Sequence, residues 1–133
     1  MKETKALIKY WQRTAEHDRE TMVSLFKAKR YSDSLFYGHL MLEKILKALV
    51  IKETKNHSKP IHNLAVLAQD ANLVLDKADL EFLAEANKFN IRARYPDYKL
   101  SFYKLCTWRY TEPKIKKINA LYKQLCQKLP PLK

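Results

Sequence analysis

The chain has 133 residues, 47% of them hydrophobic, with a single glycine, Gly38, and five prolines. That length suffices for one domain with a real core, read as 1–133, and the apolar content excludes a disordered chain. The scarcity of turn glycines argues against a β-rich fold and for an all-α one. The formal charge is +12, from 26 Lys and Arg against 14 Asp and Glu, which suits RNA, DNA or an acidic protein as partner and, on charge alone, equally a lysine-rich surface that is merely solvated.

No apolar run approaches the length of a membrane span, and MKETKALIKYWQRT at the N-terminus lacks the uninterrupted apolar core of a signal peptide. A cytoplasmic location is expected. Cys106 and Cys126 are too far apart for a metal knuckle or a CxxC pair, and read as free thiols. The sequence suggests no cofactor, and no His, Asp, Glu or Cys cluster has metal-ligand spacing.

In chain order, Leu7, Trp11, Ala15, Met22 and Leu25 give one apolar face to a helix over about 5–29. Asp18 falls on that face, where a carboxylate needs a partner or the edge of the core. Ser32 and Asp33 are candidate caps for a second helix over about 32–54. Leu35, Leu42, Ile45, Leu46 and Leu49 make its main face, and Phe36, Leu40 and Ile51 a second stripe. A helix apolar on two sides is central or shared with a second subunit, here through Phe36, Leu40 or their neighbours. Glu43, Lys44 and Lys47 lie along that second stripe, with Glu43 and Lys47 at pairing distance in sequence.

TKNHSKPIHN, 54–63, is a polar connection broken by Pro60. A short third helix follows at about 63–72, with Leu64, Leu67 and Ala68 inward. Asp76 and Asp79 signal the start of a fourth over about 77–90, carrying Leu80, Leu83 and Asn87. This helix runs into NKFNIRARYPDYKL, 87–100, and Tyr95 before Pro96 should end it near Arg94. Residues 99–110 read as a short helix or a packed loop. Thr111 is then the expected cap of a last helix, with Pro113 in its first turn and Ile115, Ile118, Tyr122, Leu125 and Leu129 inward. The whole is an all-α, up-and-down bundle of four to five helices.

Four short motifs, in order, carry a family resemblance: Ala15 with Asp18 on the first helix, LEKILKAL at 42–49, IHNL at 61–64 and ARYPDY at 93–98. Together they resemble the HEPN domain, over about 5–128. The resemblance implies a helical bundle, usually homodimeric. It is also similar to the helical domain that follows the catalytic domain in kanamycin-type nucleotidyltransferases. Many HEPN proteins are encoded beside a minimal nucleotidyltransferase as toxin–antitoxin modules, and many are metal-independent RNases. Their RNase motif is an Arg, four to six residues, then a His, near the start of the last long helix. Here the histidines are His17, His39, His57 and His62, and none follows Arg92, Arg94 or Arg109. Three residues separate Arg13 from His17, and eight separate Arg30 from His39, so neither pair fits. The chain therefore resembles the ARYPD-bearing branch, which implies nucleotide or RNA binding and a nucleotidyltransferase partner before cleavage.

The candidate ligand-binding residues are Lys47, His62, Arg92, Arg94, Tyr95 and Asp97. Arg92 and Arg94 offer planar forks that match a phosphate, and Tyr95 offers a ring on which a base can stack. The competing reading makes Arg92 or Arg94 a helix-end cation, paired with Asp97 or Asp18. Lys47, flanked by Leu40 and Ile51, is a better phosphate ligand than Lys44, and it is expected to converge with Arg92. His62 is an acid–base or ligand-donating candidate against a structural capping role; His39 reads as a packing or interface histidine. Nine basic residues and one acid, Glu112, occupy 99–133, and Lys114, Lys116, Lys117 and Lys123 are expected to steer polyanions. Trp11, Trp108, Tyr103 and Tyr110 are core candidates, with Trp108-Arg109-Tyr110 a fainter stacking signal. The alternatives are an endoribonuclease using His62 or His39 beside Arg92 or Arg94, and a structural helical adaptor.

Overall fold

The computed structural model describes residues 2–132, and among them six helices and no strand: α1 (Lys2–Lys27), α2 (Tyr31–Thr54), α3 (Leu64–Asp70), α4 (Lys77–Arg94), α5 (Ser101–Leu105) and α6 (Trp108–Cys126). No helix among these residues is long and apolar enough to cross a membrane.

α2 packs against every other helix. Of its two apolar stripes, Leu35, Leu42, Ile45, Leu46, Leu49 and Ile51 are all buried within the chain, while Phe36 and Leu40 of the second stripe are half-buried. Gly38 marks the tightest crossing. A Cβ there would lie 2.7 Å from Ile118 Cδ1 of α6 and 3.2 Å from Met22 Sδ of α1, so the absence of a side chain lets three helices meet. Asp18, on the buried face of α1, finds Lys44 Nζ of α2 at 2.6 Å.

Several expected boundaries move. Ser32 and Asp33 do not cap α2; both lie in its first turn, and the capping position is Arg30, with no side-chain cap bond. The reason is the turn before it. Lys29 adopts a left-handed φ of 63° and Arg30 N–H donates to Leu25 carbonyl, which delivers the chain into α2 without an extended residue at 32. Asp33 pairs instead with Arg30 at 3.6 Å. α4 starts as expected, with Asp76 accepting from Asp79 N–H at 2.8 Å, and continues to Arg94, where Pro96 stops it. Leu80 is not inward, at 43% exposed. The buried position beside it belongs to Asp79, whose charge is met by Lys117 of α6.

Residues 99–110 resolve into α5, a single turn that sends Phe102 against Phe89, and the start of α6. The cap of α6 is Thr107, whose Oγ1 accepts from Tyr110 N–H at 3.2 Å, not Thr111. Thr111 is fully buried inside the helix, and Pro113 falls in its second turn. Pro113 removes only its own donation to the Arg109 carbonyl, which the helix tolerates so near its start. Trp108 and Tyr103 are exposed rather than core residues, whereas Trp11 and Tyr110 pack half-buried against the core.

Candidate functional site at the end of α4

Glu43 organises one end of the site. It is buried on α2, and its Oε2 accepts from Lys47 Nζ at 3.0 Å while Oε1 accepts from His62 Nδ1 at 3.0 Å. His39, one turn earlier, is fully buried and donates through Nε2 to the His62 carbonyl at 3.1 Å. Burial lowers the His39 pKa from its ordinary value, against the opposing pull of Glu43. His39 is thus a neutral packing residue, 3.9 Å from Glu43 through an Nδ1 that has no hydrogen-bond partner. His62 differs. It gives Nδ1–H to Glu43, which fixes the ring's orientation, and the side chain is exposed.

His62 lines a cavity of about 320 Å³ with Asn63, Asn87, Asn90, Ile91, Arg94 and Tyr95. The first wall follows from capping. Asn63 Oδ1 accepts from Ala65 and Val66 N–H at the start of α3, and Asn87 of α4 bridges to the same turn by accepting from Leu64 N–H and donating to Asn63 Oδ1. The last turn of α4 supplies the second wall. Arg94 lies with its guanidinium carbon 5.7 Å from the Phe36 ring centroid, and no carboxylate lies within ion-pair distance of it among the described residues. Asn90 is buried, and its Oδ1 has no hydrogen-bond partner.

Arg92 points elsewhere. It stacks on Phe102, 4.9 Å from the ring centroid, and lines a smaller cavity of about 200 Å³ with Tyr95, Asp97 and Phe102. Asp97 accepts from the N–H of Ser101, the first residue of α5, at 2.8 Å; hydrogen bonds from Ser101 lower its pKa below the usual carboxylate value, with a smaller pull from Arg92. It does not tie down Arg94, and Asp18 is taken by Lys44.

Lys47 and Arg92 therefore line no common cavity. Lys47 is buried, bound to Glu43 and 5.2 Å from the Trp11 ring centroid, and it reaches the cavity only through Glu43 and His62. Of the four tail lysines, Lys114 pairs with Glu85 at 3.0 Å, Lys116 with Glu112 at 3.2 Å, and Lys117 with Asp79, leaving Lys123 without an ion pair among the described residues. Among the described residues no group of three or more His, Cys, Asp and Glu could hold a metal ion. Asn63, Asn87, Asn90 and Ile91 line the cavity without having been marked as site residues by the sequence. Asn63, directly before an apolar run, carried a capping signal, whereas nothing local marked Asn90.

No curated protein matches the chain, and no solved structure does. A family model, described as the HEPN domain, matches residues 8–129, from the first turns of α1 to beyond the end of α6. The chain belongs to the HEPN domain family.

Proposed function

We propose that this HEPN domain binds a phosphate-bearing nucleotide, free or within RNA, in the cavity between His62 and Arg94. In this reading it works in the cytoplasm as the helical partner of a small nucleotidyltransferase in a toxin–antitoxin pair. One observation carries the binding: a guanidinium held on an aromatic ring, without a carboxylate partner, shares a cavity with an imidazole whose orientation is fixed from behind by Glu43. Arg94 supplies a two-pronged donor for phosphate, Tyr95 a ring for the base, and Asn90 an amide with unused bonding capacity. Arg92 and Asp97 flank the far side of Tyr95, and Lys47 binds Glu43 behind His62. Phe36, half-buried beside Arg94, and Leu40, half-buried one turn further along α2, are the proposed contacts of a twofold dimer, which sedimentation would detect.

Calorimetric titration with adenosine monophosphate tests the site. Arg94→Ala should weaken binding by about 1.5–3 kcal/mol, the worth of a charge-assisted bond, with an unchanged unfolding transition. Equal binding by the variant, or its unfolding, removes the assignment. A second reading, metal-independent RNA cleavage, draws on the His62–Glu43 bond, which leaves Nε2 able to take a proton from a ribose 2′-hydroxyl while Arg94 faces the phosphate. Little cleavage is expected in EDTA; efficient cleavage abolished by His62→Ala would put this reading first.

A further inference from the structure

Between Ile91 and Arg109 the chain turns four aromatic rings outward: Tyr95 is 71% exposed, Tyr98 91%, Tyr103 67% and Trp108 54%. Soluble surfaces rarely leave so many large rings uncovered in one run. Five cations are interleaved with them, Arg92, Arg94, Lys99, Lys104 and Arg109, against one acid. That acid, Asp97, is engaged by Ser101 N–H. Lys99 Nζ already sits 5.7 Å from the Tyr98 ring centroid.

Three concavities draw lining residues from this run. The His62–Arg94 cavity shares Tyr95 with the smaller one at Arg92 and Phe102. Tyr103, next in the chain after Phe102, lines a third of about 280 Å³ with Lys104 and Thr107, together with Lys29 before α2 and Tyr31 and Ser32 in its first turn. Each of the three contains at least one Arg or Lys.

We propose that this surface is a stacking platform for single-stranded RNA, with Tyr98, Tyr103 and Trp108 taking bases while Lys99, Lys104 and Arg109 take the phosphates between them. Aromatic faces accept any unstacked base, and cations between them follow the backbone. A duplex cannot use such rings, because its bases are already stacked. An apolar partner protein would leave the interleaved cations without counter-charge. Ser32 and Thr107 line the third concavity, and a ribose offers a 2′-hydroxyl for such polar residues to bond that a deoxyribose lacks. The platform rests on the nucleotide reading of the His62–Arg94 cavity only for its end point, where one nucleotide of the strand would lodge.

The test is fluorescence anisotropy with a short labelled oligouridylate, beside titration with adenosine monophosphate. Tyr98→Ala, Tyr103→Ala and Trp108→Ala should each weaken oligouridylate binding by about five- to a hundredfold, and Trp108→Phe should restore most of the loss. Replacing Lys99, Lys104 and Arg109 together by Gln should flatten the dependence of log affinity on log salt by about 2. Neither set should change mononucleotide binding, which Arg94→Ala removes, so failure of the cavity and failure of the platform appear in different titrations. Circular dichroism should be unchanged, since all these side chains are exposed. The proposal is overturned by unchanged oligouridylate affinity in the alanine variants, or by equal binding of oligothymidylate or duplex RNA. It is also overturned if the alanine variants convert a dimer to a monomer without touching RNA affinity, which would assign the surface to a second copy of the chain.

Discussion

Lys44 and Lys47, on α2, end on carboxylates; Arg92 and Arg94, on α4, end on aromatic rings. The lysines are enclosed by other helices, where a lone charge would be costly, so each is matched by an acid and its charge is consumed by the fold. The arginines sit at the end of a helix near solvent. A ring face supports the guanidinium there without neutralising it, and the charge stays available to a ligand. The tail shows the same division on one helix, because Lys114, Lys116 and Lys117 face acids while Lys123 does not. Net charge alone is a poor guide to a binding site; which cations lack an acid is the better one.

The sharpest way to break this comparison is Lys44→Ala. It leaves Asp18 buried without its partner and should cost about 3 kcal/mol in urea unfolding, part of which the double variant with Asp18→Ala should recover. Arg94→Ala should cost less than about 0.5 kcal/mol in the same assay. Equal losses would erase the distinction between the two sets of cations.

The interior of α2 can be probed without touching charge. Gly38→Ala should destabilise by about 1–2 kcal/mol despite alanine's better helix propensity, because its Cβ would overlap Ile118 Cδ1. Adding Ile118→Val removes that methyl and should return some of the loss. An alanine variant as stable as the parent would show that the three-helix crossing can relax.

The quietest effect at neutral pH belongs to His39. Its pKa is lowered by burial, so the unfolded chain takes the proton first. Stability should be fully present above the ordinary histidine value near 6.5 and should decline as pH falls below it, until the folded form titrates as well. His39→Asn should flatten the profile of melting temperature against pH in that window. A profile that keeps its slope in this variant would shift the effect to other groups.

Much of this was legible in the sequence because it is local. The apolar spacing of Ala15, Met22, Leu35, Leu42 and Ile45 marked buried faces, Asp76 marked a helix start, and Pro96 marked a stop. The cap of α6 was misplaced because Thr107 and Thr111 are chemically equivalent four residues apart, and the choice depends on how α5 delivers the chain. Leu80 lies outside and Asp79 beside it is buried, because Lys117, 38 residues away, makes a buried acid tolerable. Tyr103 and Trp108 look like core residues in sequence, and only the docking of the single turn around Phe102 leaves them outside.

The sequence by itself determined the helical content, the faces of the long helices and the HEPN resemblance, since these rest on periodicity and short motifs that neighbouring residues carry. Tertiary structure decided which cations keep their charge. Asp18 with Lys44, Glu43 with His62, and Asp79 with Lys117 are pairs of residues far apart in the chain. Whether such residues meet depends on how each helix is rotated about its own axis when it packs on α2. That rotation is set by the fit of many side chains together, of which Gly38 against Met22 and Ile118 is one, and no stretch of sequence contains it.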